Sequence, residues 1–299
     1  MRRALGGTGL TVSALGLGCG PLGAPGVDDA AAARLVHAAL DHGIDVFDTA
    51  PSYGASEERL ARALAGRRGA ATLVTKGGYG VPGVPDWTPE CIERGVERAL
   101  RVLCTDVLDV FLLHSCDADR LRRGDLLAPL ARAREAGKVR AVGYSGDGEA
   151  LDVALGTEVF DVVECSVSLV DRAALRQLAR LTGAPAGVLG KRALANAAWA
   201  RLGGPNGADE PRADVEEYAR RVEALFAPSD PPLGLPMDEL FLRFAAHAPR
   251  VSCALVGTSR VEGVRRAAEL VARGPLPREA LAVLEQRHLD RGAGFAGVV

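Results

Sequence analysis

The chain has 299 residues, of which 48% are hydrophobic and 25% are charged, and these proportions are typical of a soluble globular protein. Its formal net charge of -2 provides no surplus of positive charge to meet phosphates, which argues against a nucleic-acid partner and an acidic membrane surface. The length suits one large domain and no shift in composition marks a boundary, so we predict a single domain over residues 1–299.

The predicted elements alternate between strands and helices along nearly the whole chain. Each was assigned from the period of its apolar residues and from the turn residues at its ends. In chain order they are a hairpin at 2–13, strand 15–20, helix 29–42, strand 44–47, a helix capped by Ser56 and continuing to 64, strand 72–75, helix 89–102, strand 107–113, helix 121–136, strand 139–144, a helix after residue 148, strand 159–164, helix 172–181, strand 186–190, helix 214–226, helix 237–247, strand 253–256, helix 261–271 and helix 276–288.

Repeated strand-then-helix units in a chain of this size predict an α/β protein with a closed parallel (β/α)8 barrel, the TIM-barrel fold. The hairpin at 2–13 precedes the barrel, and 276–288 is an extra C-terminal helix. An open doubly wound sheet is the alternative, because strand order cannot be read from one sequence.

One glycine-rich segment resembles a dinucleotide-binding motif. Gly18-Cys19-Gly20-Pro21-Leu22-Gly23 matches the pattern G-x-G-x-x-G. The motif works only where a helix N-terminus opens inside it to hold a pyrophosphate. Prolines and glycine at 21, 25 and 26 predict a loop here, and the next helix cannot begin before Asp28. We therefore reject the match.

Four polar side chains stand at or just beyond consecutive strand ends. Asp48, Lys76 and His114 end the second, third and fourth barrel strands, and Tyr53 lies five residues beyond Asp48. Each has an ordinary explanation: a turn cap, packing, a lysine reaching solvent or a histidine under a loop. Adjacent strand ends of a barrel meet at one mouth, however, and the chain has only three lysines and five histidines. We therefore predict that the four residues form one site.

The chemistry of such a site is specific. A phenol has a pKa of about 10, which suits neutral pH poorly, and a nearby ammonium favours the phenolate. Asp48 would hold Lys76 in place and keep it charged, and His114 would orient a carbonyl oxygen. The group suits a reaction in which a carbonyl carbon receives hydride and its oxygen receives a proton.

Six motifs span nearly the whole chain: Asp48-Thr49-Ala50-x-x-Tyr53-Gly54-x-Ser56-Glu57, Thr75-Lys76, Leu113-His114, Gly143-Tyr144-Ser145, Lys191-Arg192-x-Leu194-Ala195-Asn196 and Gly257-Thr258-Ser259-Arg260. They resemble those of the aldo-keto reductase family, whose members are (β/α)8 barrels that reduce aldehydes and ketones with NADPH. The resemblance implies that Tyr53 is the general acid/base, that Lys76 and Asp48 tune it, and that His114 orients the substrate.

The resemblance also implies a cofactor site, with three departures from the family pattern. Gly146 and Ala267 stand where the family usually has Asn, and Glu164 stands where it usually has Gln. A 2′-phosphate needs cationic groups, of which Arg260 is one, so the expected cofactor is NADP(H), with NAD(H) as the alternative. The implied cofactor-binding residues are Ser145, Glu164, Lys191, Gly257, Thr258, Ser259 and Arg260.

The leading functional prediction is an NAD(P)(H)-dependent oxidoreductase that interconverts the carbonyl group of an aldehyde, ketone or aldose with the alcohol. The alternatives are an NAD-dependent aldose dehydrogenase and a non-catalytic barrel that senses the cofactor. The substrate pocket is predicted from the loops at 20–27, 77–87, 115–119 and 191–236, with Trp87 and Trp199 as candidate apolar walls.

The remaining predictions concern the environment of the protein. Six cysteines without paired spacing predict reduced thiols. Met1-Arg2-Arg3 lacks the apolar segment of a signal peptide, and no apolar run approaches the roughly 20 residues that span a bilayer. We therefore expect a cytoplasmic protein. No H-E-x-x-H motif or Cys/His cluster appears, so no metal is expected. The sequence leaves the oligomeric state open.

Overall fold

The structure is a computed structural model that describes residues 1–181, 186–203, 213–227, 230 and 233–298. Short 3₁₀ turns lie at Gly20–Gly23 and Arg68–Ala70, and a longer 3₁₀ segment at Ala195–Gly203 is interrupted by a kink at Asn196 and Ala197. The strands and α-helices, in chain order, are β1 (Arg2–Ala4), β2 (Thr11–Ser13), β3 (Leu15–Gly18), α1 (Asp29–Asp41), β4 (Val46–Asp48), α2 (Ser56–Ala63), β5 (Thr72–Gly77), α3 (Pro89–Val102), β6 (Leu108–His114), α4 (Ala118–Arg123), α5 (Leu127–Glu135), β7 (Val139–Ser145), α6 (Gly148–Leu155), β8 (Val162–Ser166), α7 (Ala173–Ala179), β9 (Gly187–Lys191), α8 (Ala213–Leu225), α9 (Met237–His247), β10 (Cys253–Gly257), α10 (Val261–Ala272) and α11 (Arg278–Arg291).

Strands β3 to β10 form one closed parallel barrel. Each strand pairs with the next in sequence, and β10 pairs with both β9 and β3 to close the ring. The predicted (β/α)8 barrel is confirmed, and the open doubly wound sheet is wrong. The C-terminal ends of all eight strands therefore face one mouth, which is the edge where barrel enzymes place their chemistry.

The N-terminal hairpin closes the opposite end of the barrel. Strands β1 and β2 pair antiparallel, and Leu5, Leu10 and Val12 are buried in one cluster with inward-facing side chains of the barrel strands. A Cβ atom on Gly187, the first residue of β9, would lie 2.7 Å from the Leu5 side chain, so only glycine leaves room for Leu5 here. The hairpin and the extra C-terminal helix were both predicted correctly.

Most of the core lies between the barrel and the surrounding helices. Helix α3 shows how the sequence forms this layer: the Thr88 side chain caps its start by accepting from the backbone N–H of Cys91 at 3.2 Å, and Pro89 occupies the first turn. Its apolar side chains, among them Ile92 and Val96, are buried on one face. Among the described helices, none is both long and apolar enough to cross a bilayer.

Two local predictions are wrong. The helix expected at 121–136 is interrupted, because Gly124 adopts a left-handed conformation with φ of 74° and ends α4, after which α5 begins at Leu127. Ser56 is the first residue of α2 rather than its cap. Its hydroxyl donates instead to the carbonyl of Cys19 at 2.8 Å and lies 2.9 Å from the Thr49 hydroxyl, so it ties the loop after β4 to the end of β3.

Candidate active site

The barrel brings the four predicted catalytic residues to one mouth. Asp48 is the last residue of β4, Lys76 lies next to last in β5, and His114 ends β6. These strands are neighbours in the ring, so their ends stand side by side. Tyr53 follows on the loop between β4 and α2.

Lys76 is the centre of the site. Its side chain is fully buried, and Nζ donates to Oδ1 of Asp48 and, at 3.1 Å, to the carbonyl oxygen of Thr49. Nζ also lies 3.4 Å from Oε2 of Glu164 and 5.3 Å from the centroid of the Tyr53 ring. One ammonium therefore contacts two carboxylates and faces one phenol.

Tyr53 is positioned by one contact of its ring and one of its backbone. It meets the ring of His114 edge to face, with centroids 6.0 Å apart and planes at 86°. Its backbone crosses Gly23 so closely that a Cβ atom there would lie 1.5 Å from the Tyr53 carbonyl oxygen. Only glycine at position 23 allows the two backbone segments to come this close, and their contact positions the loop that carries Tyr53.

Burial changes the acidity of both rings. Burial raises the pKa of Tyr53 above its ordinary value, and the opposing effect of Lys76 is outweighed. The expected lowering of the phenol pKa by Lys76 is thus present, but in the site without a bound ligand it is smaller than the effect of burial. Burial, followed by Lys76, lowers the pKa of His114 to about 4, so the imidazole is neutral near pH 7. Tyr53 is a neutral phenol, and His114 acts as a neutral hydrogen-bonding group.

Tyr79 is a site residue that the sequence reasoning missed. Its hydroxyl donates to Oγ of Ser52 at 2.9 Å and lies 2.5 Å from Nδ1 of His114, which fixes the orientation of the imidazole. Its ring centroid is 5.8 Å from that of Trp87. The available signal was its place in the loop at 77–87, which had been predicted to line the pocket.

The two candidate tryptophan walls differ in position. Trp87 packs beside Tyr79 at the mouth, and the guanidinium of Arg120 lies 5.7 Å from its ring. Trp199 packs against Phe241, with ring centroids 4.7 Å apart, in a separate apolar cluster formed largely by α8, α9 and α11. Trp87 thus faces the site, whereas Trp199 is a packing residue. Part of the predicted pocket segment 191–236 lies outside the described residues.

Among the residues implied for cofactor binding, Glu164 contacts Lys76 directly, and Ser145 contacts Glu164. The Ser145 hydroxyl donates to Oε1 of Glu164 at 3.0 Å. Oε2 of Glu164 is buried and, while Asp48 is ionised, has no hydrogen-bond donor among the described residues, although it faces Lys76 at 3.4 Å. A buried acceptor of this kind fits the amine of a carboxamide. Lys191 ends β9 and pairs with Asp147 at 3.3 Å.

Gly146 departs from the family pattern for a steric reason. A Cβ atom at this position would lie 2.2 Å from the Tyr144 hydroxyl oxygen. Tyr144 is buried, and its hydroxyl donates to the carbonyl of Cys116 at 3.0 Å. The phenol thus occupies the space that the side chain of the usual Asn would need.

We expect Gly146→Asn to destabilise the protein by about 1–3 kcal/mol, because an overpacked side chain must displace Tyr144. Urea unfolding measures the loss. Gly7→Asn is the matched control, since Gly7 is exposed and has no atom within 4 Å of an added Cβ. Equal stability of the two variants would contradict the steric explanation.

The residues implied for the adenosine phosphate lie where β10 meets α10. Gly257 ends the strand, Arg260 precedes the first residue of the helix, and the Thr258 hydroxyl accepts from the backbone N–H of Arg260 at 3.2 Å. Arg260 is exposed, as is Ser259. Among the described residues, no carboxylate forms an ion pair with Arg260. An exposed cation beside a helix N-terminus suits an anion.

Comparison with known proteins assigns this barrel to a family. The sequence profile of the aldo/keto reductase family matches residues 14–287. The chain belongs to the aldo/keto reductase family. Because the match covers nearly all of the chain, it includes both the β4–β6 strand ends and the β10–α10 junction.

Individual relatives agree with this placement. The chain is 29% identical over 307 residues to L-galactose dehydrogenase of Arabidopsis thaliana, covering 95% of this chain and 92% of that protein. It is 36% identical over 161 residues to 6-dehydroglucose reductase of Novosphingobium aromaticivorans, covering 48% of this chain and 50% of that protein. A solved aldo/keto reductase from Klebsiella pneumoniae, in complex with NADP and acetate, is 25% identical with a TM-score of 0.72, covering 95% of this chain and 94% of that one.

The aldo/keto reductase resemblance stated from the sequence is confirmed. With oxidoreductases among its relatives, this aldo/keto reductase is an enzyme that interconverts carbonyl and alcohol groups. This leaves its catalytic residues, cofactor and substrate to be proposed.

Proposed function

We propose that this aldo/keto reductase transfers hydride between a nicotinamide cofactor and a small carbonyl or alcohol substrate, with Tyr53 as the general acid/base. The observation that carries the proposal is the fully buried Lys76 ammonium, which lies 5.3 Å from the centroid of the Tyr53 ring and is held by Asp48. A charge in this position stabilises the phenolate that forms when Tyr53 gives up its proton.

The residues divide the proton chemistry between them. When bound, the cofactor supplies or accepts the hydride. In reduction the Tyr53 hydroxyl donates its proton to the substrate oxygen, and Lys76 stabilises the phenolate. In oxidation the ionised phenol accepts the proton of the alcohol. His114 is neutral, and its Nδ1–H donates to Tyr79, whose own hydroxyl hydrogen goes to Ser52. Nε2 is left as the acceptor that orients the hydroxyl of an alcohol substrate.

The proposed cofactor is NADP(H), with NAD(H) as the alternative. Ser145, Glu164 and Lys191 would hold the nicotinamide end, and the segment from Gly257 to Arg260 would hold the adenosine end. The NADP in the Klebsiella pneumoniae relative supports NADP(H), as does the exposed guanidinium of Arg260, which has no carboxylate partner in the described part of the chain. A 2′-phosphate is an anion that Arg can bind in a bidentate manner, whereas NAD(H) offers a hydroxyl there.

We expect Arg260→Ala to weaken NADPH binding at least tenfold, corresponding to loss of a charge-assisted contact of about 1.5–3 kcal/mol, and to leave NADH binding nearly unchanged. Fluorescence titration with both cofactors measures the effect. Arg278→Ala is the control, because Arg278 is also an exposed arginine at the start of a helix. Equal weakening of NADPH and NADH binding would show that Arg260 does not contact the 2′-phosphate.

A sugar is the substrate class to test first. The names of the two sequence relatives refer to sugars or sugar derivatives. The alternative function, an NAD-dependent aldose dehydrogenase, is favoured by the full-length similarity to L-galactose dehydrogenase. A screen of aldehydes and ketones with NADPH or NADH, and of aldoses with NADP+ or NAD+, decides between reduction and oxidation. Cofactor binding without turnover in either direction would instead favour a non-catalytic sensor.

We also propose that residues 1–299 form a single domain that works in the cytoplasm. The cysteines support a reducing compartment, since all six are free thiols, and five of them are buried. The partner of the site is then a freely diffusing small molecule, and neither a nucleic acid nor a membrane is required.

A further inference from the structure

The mouth of the barrel contains one more buried acid than the proposed proton transfer needs. Asp48 and Glu164 are 4% and 2% exposed, and both contact the single ammonium of Lys76. A Gln at position 164, as is usual in the family, would be neutral, and the charges of the Lys76 ammonium and the Asp48 carboxylate would then cancel. In this chain, two ionised carboxylates would leave one uncompensated negative charge in a buried site.

The other groups around the pair do not remove this excess. Lys191 on β9 is the next cation, but it is paired with Asp147 at 3.3 Å. The remaining neighbours that titrate are Tyr53, His114 and Cys19. Tyr53 and His114 are neutral near pH 7, and burial keeps the Cys19 thiol protonated by raising its pKa. Tyr79, beyond His114, is also a neutral phenol with a raised pKa. Among the described residues, Lys76 is the one cation in contact with both acids.

Two like charges this close to one counter-ion titrate together. Burial and Glu164 raise the pKa of Asp48 well above its usual range. Burial acts in the same direction on Glu164, but Lys76 and Lys191 outweigh it and lower the pKa of that carboxyl. One member of the pair thus keeps a proton at a pH where an isolated carboxyl has lost it, and the site without ligand is close to neutral.

A positive charge added near the pair would favour loss of the proton that Asp48 and Glu164 retain. The oxidised nicotinamide ring carries a positive charge that the reduced ring lacks, and a positive charge nearby favours the ionised form of a carboxyl. Ser145, which bonds to Glu164, is among the residues proposed to hold the nicotinamide end. The ring would therefore bind next to the pair, and only its oxidised form would supply the missing cation.

We propose that the Asp48–Glu164 pair selects the oxidised over the reduced cofactor, by releasing its shared proton to solvent when the oxidised form binds. The charge balances, because the site gains one positive charge and loses one proton. Glu164 is thus the residue that determines the preference for the oxidised cofactor, and this preference favours oxidation of the alcohol. The inference rests on the proposed function, since it requires a nicotinamide at this mouth.

The pH dependence of binding follows from the release. A reaction that liberates one proton becomes more favourable by up to about tenfold per pH unit over the range in which the pair titrates. The Kd of the oxidised cofactor should therefore fall as the pH rises above the usual range of a carboxyl, whereas the Kd of the reduced form should change little. The ratio of the reduced to the oxidised Kd should rise accordingly.

Titration calorimetry tests this directly in the full-length protein. Binding of NADP+ and of NADPH is measured in buffers of different ionisation enthalpy, which gives the number of protons released. We expect close to one proton with NADP+ and close to none with NADPH. Glu164→Gln should abolish the release and lower the reduced-to-oxidised Kd ratio at least tenfold at the upper end of the pH range. Glu239→Gln is the control, because Glu239 is also a buried, ion-paired carboxylate but lies on the outer helix α9.

The outcomes are distinct. Equal proton release with the two forms, or a Glu164→Gln protein that behaves like the wild type, would overturn the inference while leaving the proposed function standing. Failure of either cofactor to bind the wild type would overturn the proposed function and this inference with it. If Glu164→Gln does not fold, the wild-type Kd ratio decides, and a ratio independent of pH would refute the selection.

Discussion

Replacing Tyr53 by Phe is expected to lower turnover by about 10²–10⁴-fold, the usual contribution of a general acid, while cofactor affinity stays nearly unchanged. The substitution removes the hydroxyl and keeps the ring. The edge-to-face contact with His114 and the close backbone crossing at Gly23 are both retained. The loss should therefore appear in kcat rather than in folding.

Turnover and cofactor binding are measured on the same purified protein, with a thermal unfolding curve beside them. Tyr218→Phe is the matched control: Tyr218 is fully buried, and its hydroxyl donates to Asp171 at 3.1 Å in the cluster formed by α8, α9 and α11. It should keep wild-type turnover per folded molecule. A Tyr53→Phe enzyme that binds cofactor and turns over normally would show that Tyr53 is not the general acid.

The fold and the strand-end residues were predictable because they depend on local signals. Short apolar runs separated by amphipathic helices define a barrel strand by strand. Asp48, Lys76 and His114 were identified because each is a polar residue that interrupts or ends such a run. Their convergence then follows from the geometry of a barrel alone.

The interactions within the site were not predictable, because they depend on which side chains meet across strands. Asp48 and Glu164 lie on β4 and β8 and share Lys76 from opposite sides of the ring. No spacing in the sequence indicates this. The raised pKa of Tyr53 was missed for a related reason: the sequence identified the nearby lysine but could not measure the burial that outweighs it. Tyr79 contacts His114 from a loop whose path has no periodic signal.

Removing the charge of Lys76 should affect both stability and turnover. We expect Lys76→Met to cost about 3–5 kcal/mol of stability, because the loss of one partner leaves buried charge uncompensated. Met fills a similar volume, so the cost comes mainly from Asp48 and Glu164 and not from a cavity. Turnover should fall as well, since the phenolate of Tyr53 loses its nearest cation. Lys138→Met is the control: Lys138 forms an exposed pair with Glu97, which contributes at most about 1 kcal/mol.

The pH dependence of stability identifies the cause. Without Lys76, burial should raise the folded-state pKa of both carboxyls above their unfolded values of about 4. A folded state that holds protons more tightly than the unfolded state loses stability as the pH rises above the unfolded pKa. Lys76→Met should therefore be less stable at pH 8 than at pH 5 relative to the wild type. Urea unfolding at both values measures the difference.

The double variant Lys76→Met/Glu164→Gln separates the two roles of the lysine. With one carboxylate gone, part of the lost stability should return, and the decline with pH should become smaller, because only Asp48 is left buried without a partner. Turnover should stay low, since no cation faces Tyr53 in either variant. Recovery of turnover along with stability would mean that Lys76 acts only by holding the site together. A Lys76→Met protein as stable as the wild type at pH 8 would show that the folded state does not need Lys76 to compensate the charges of the two carboxylates.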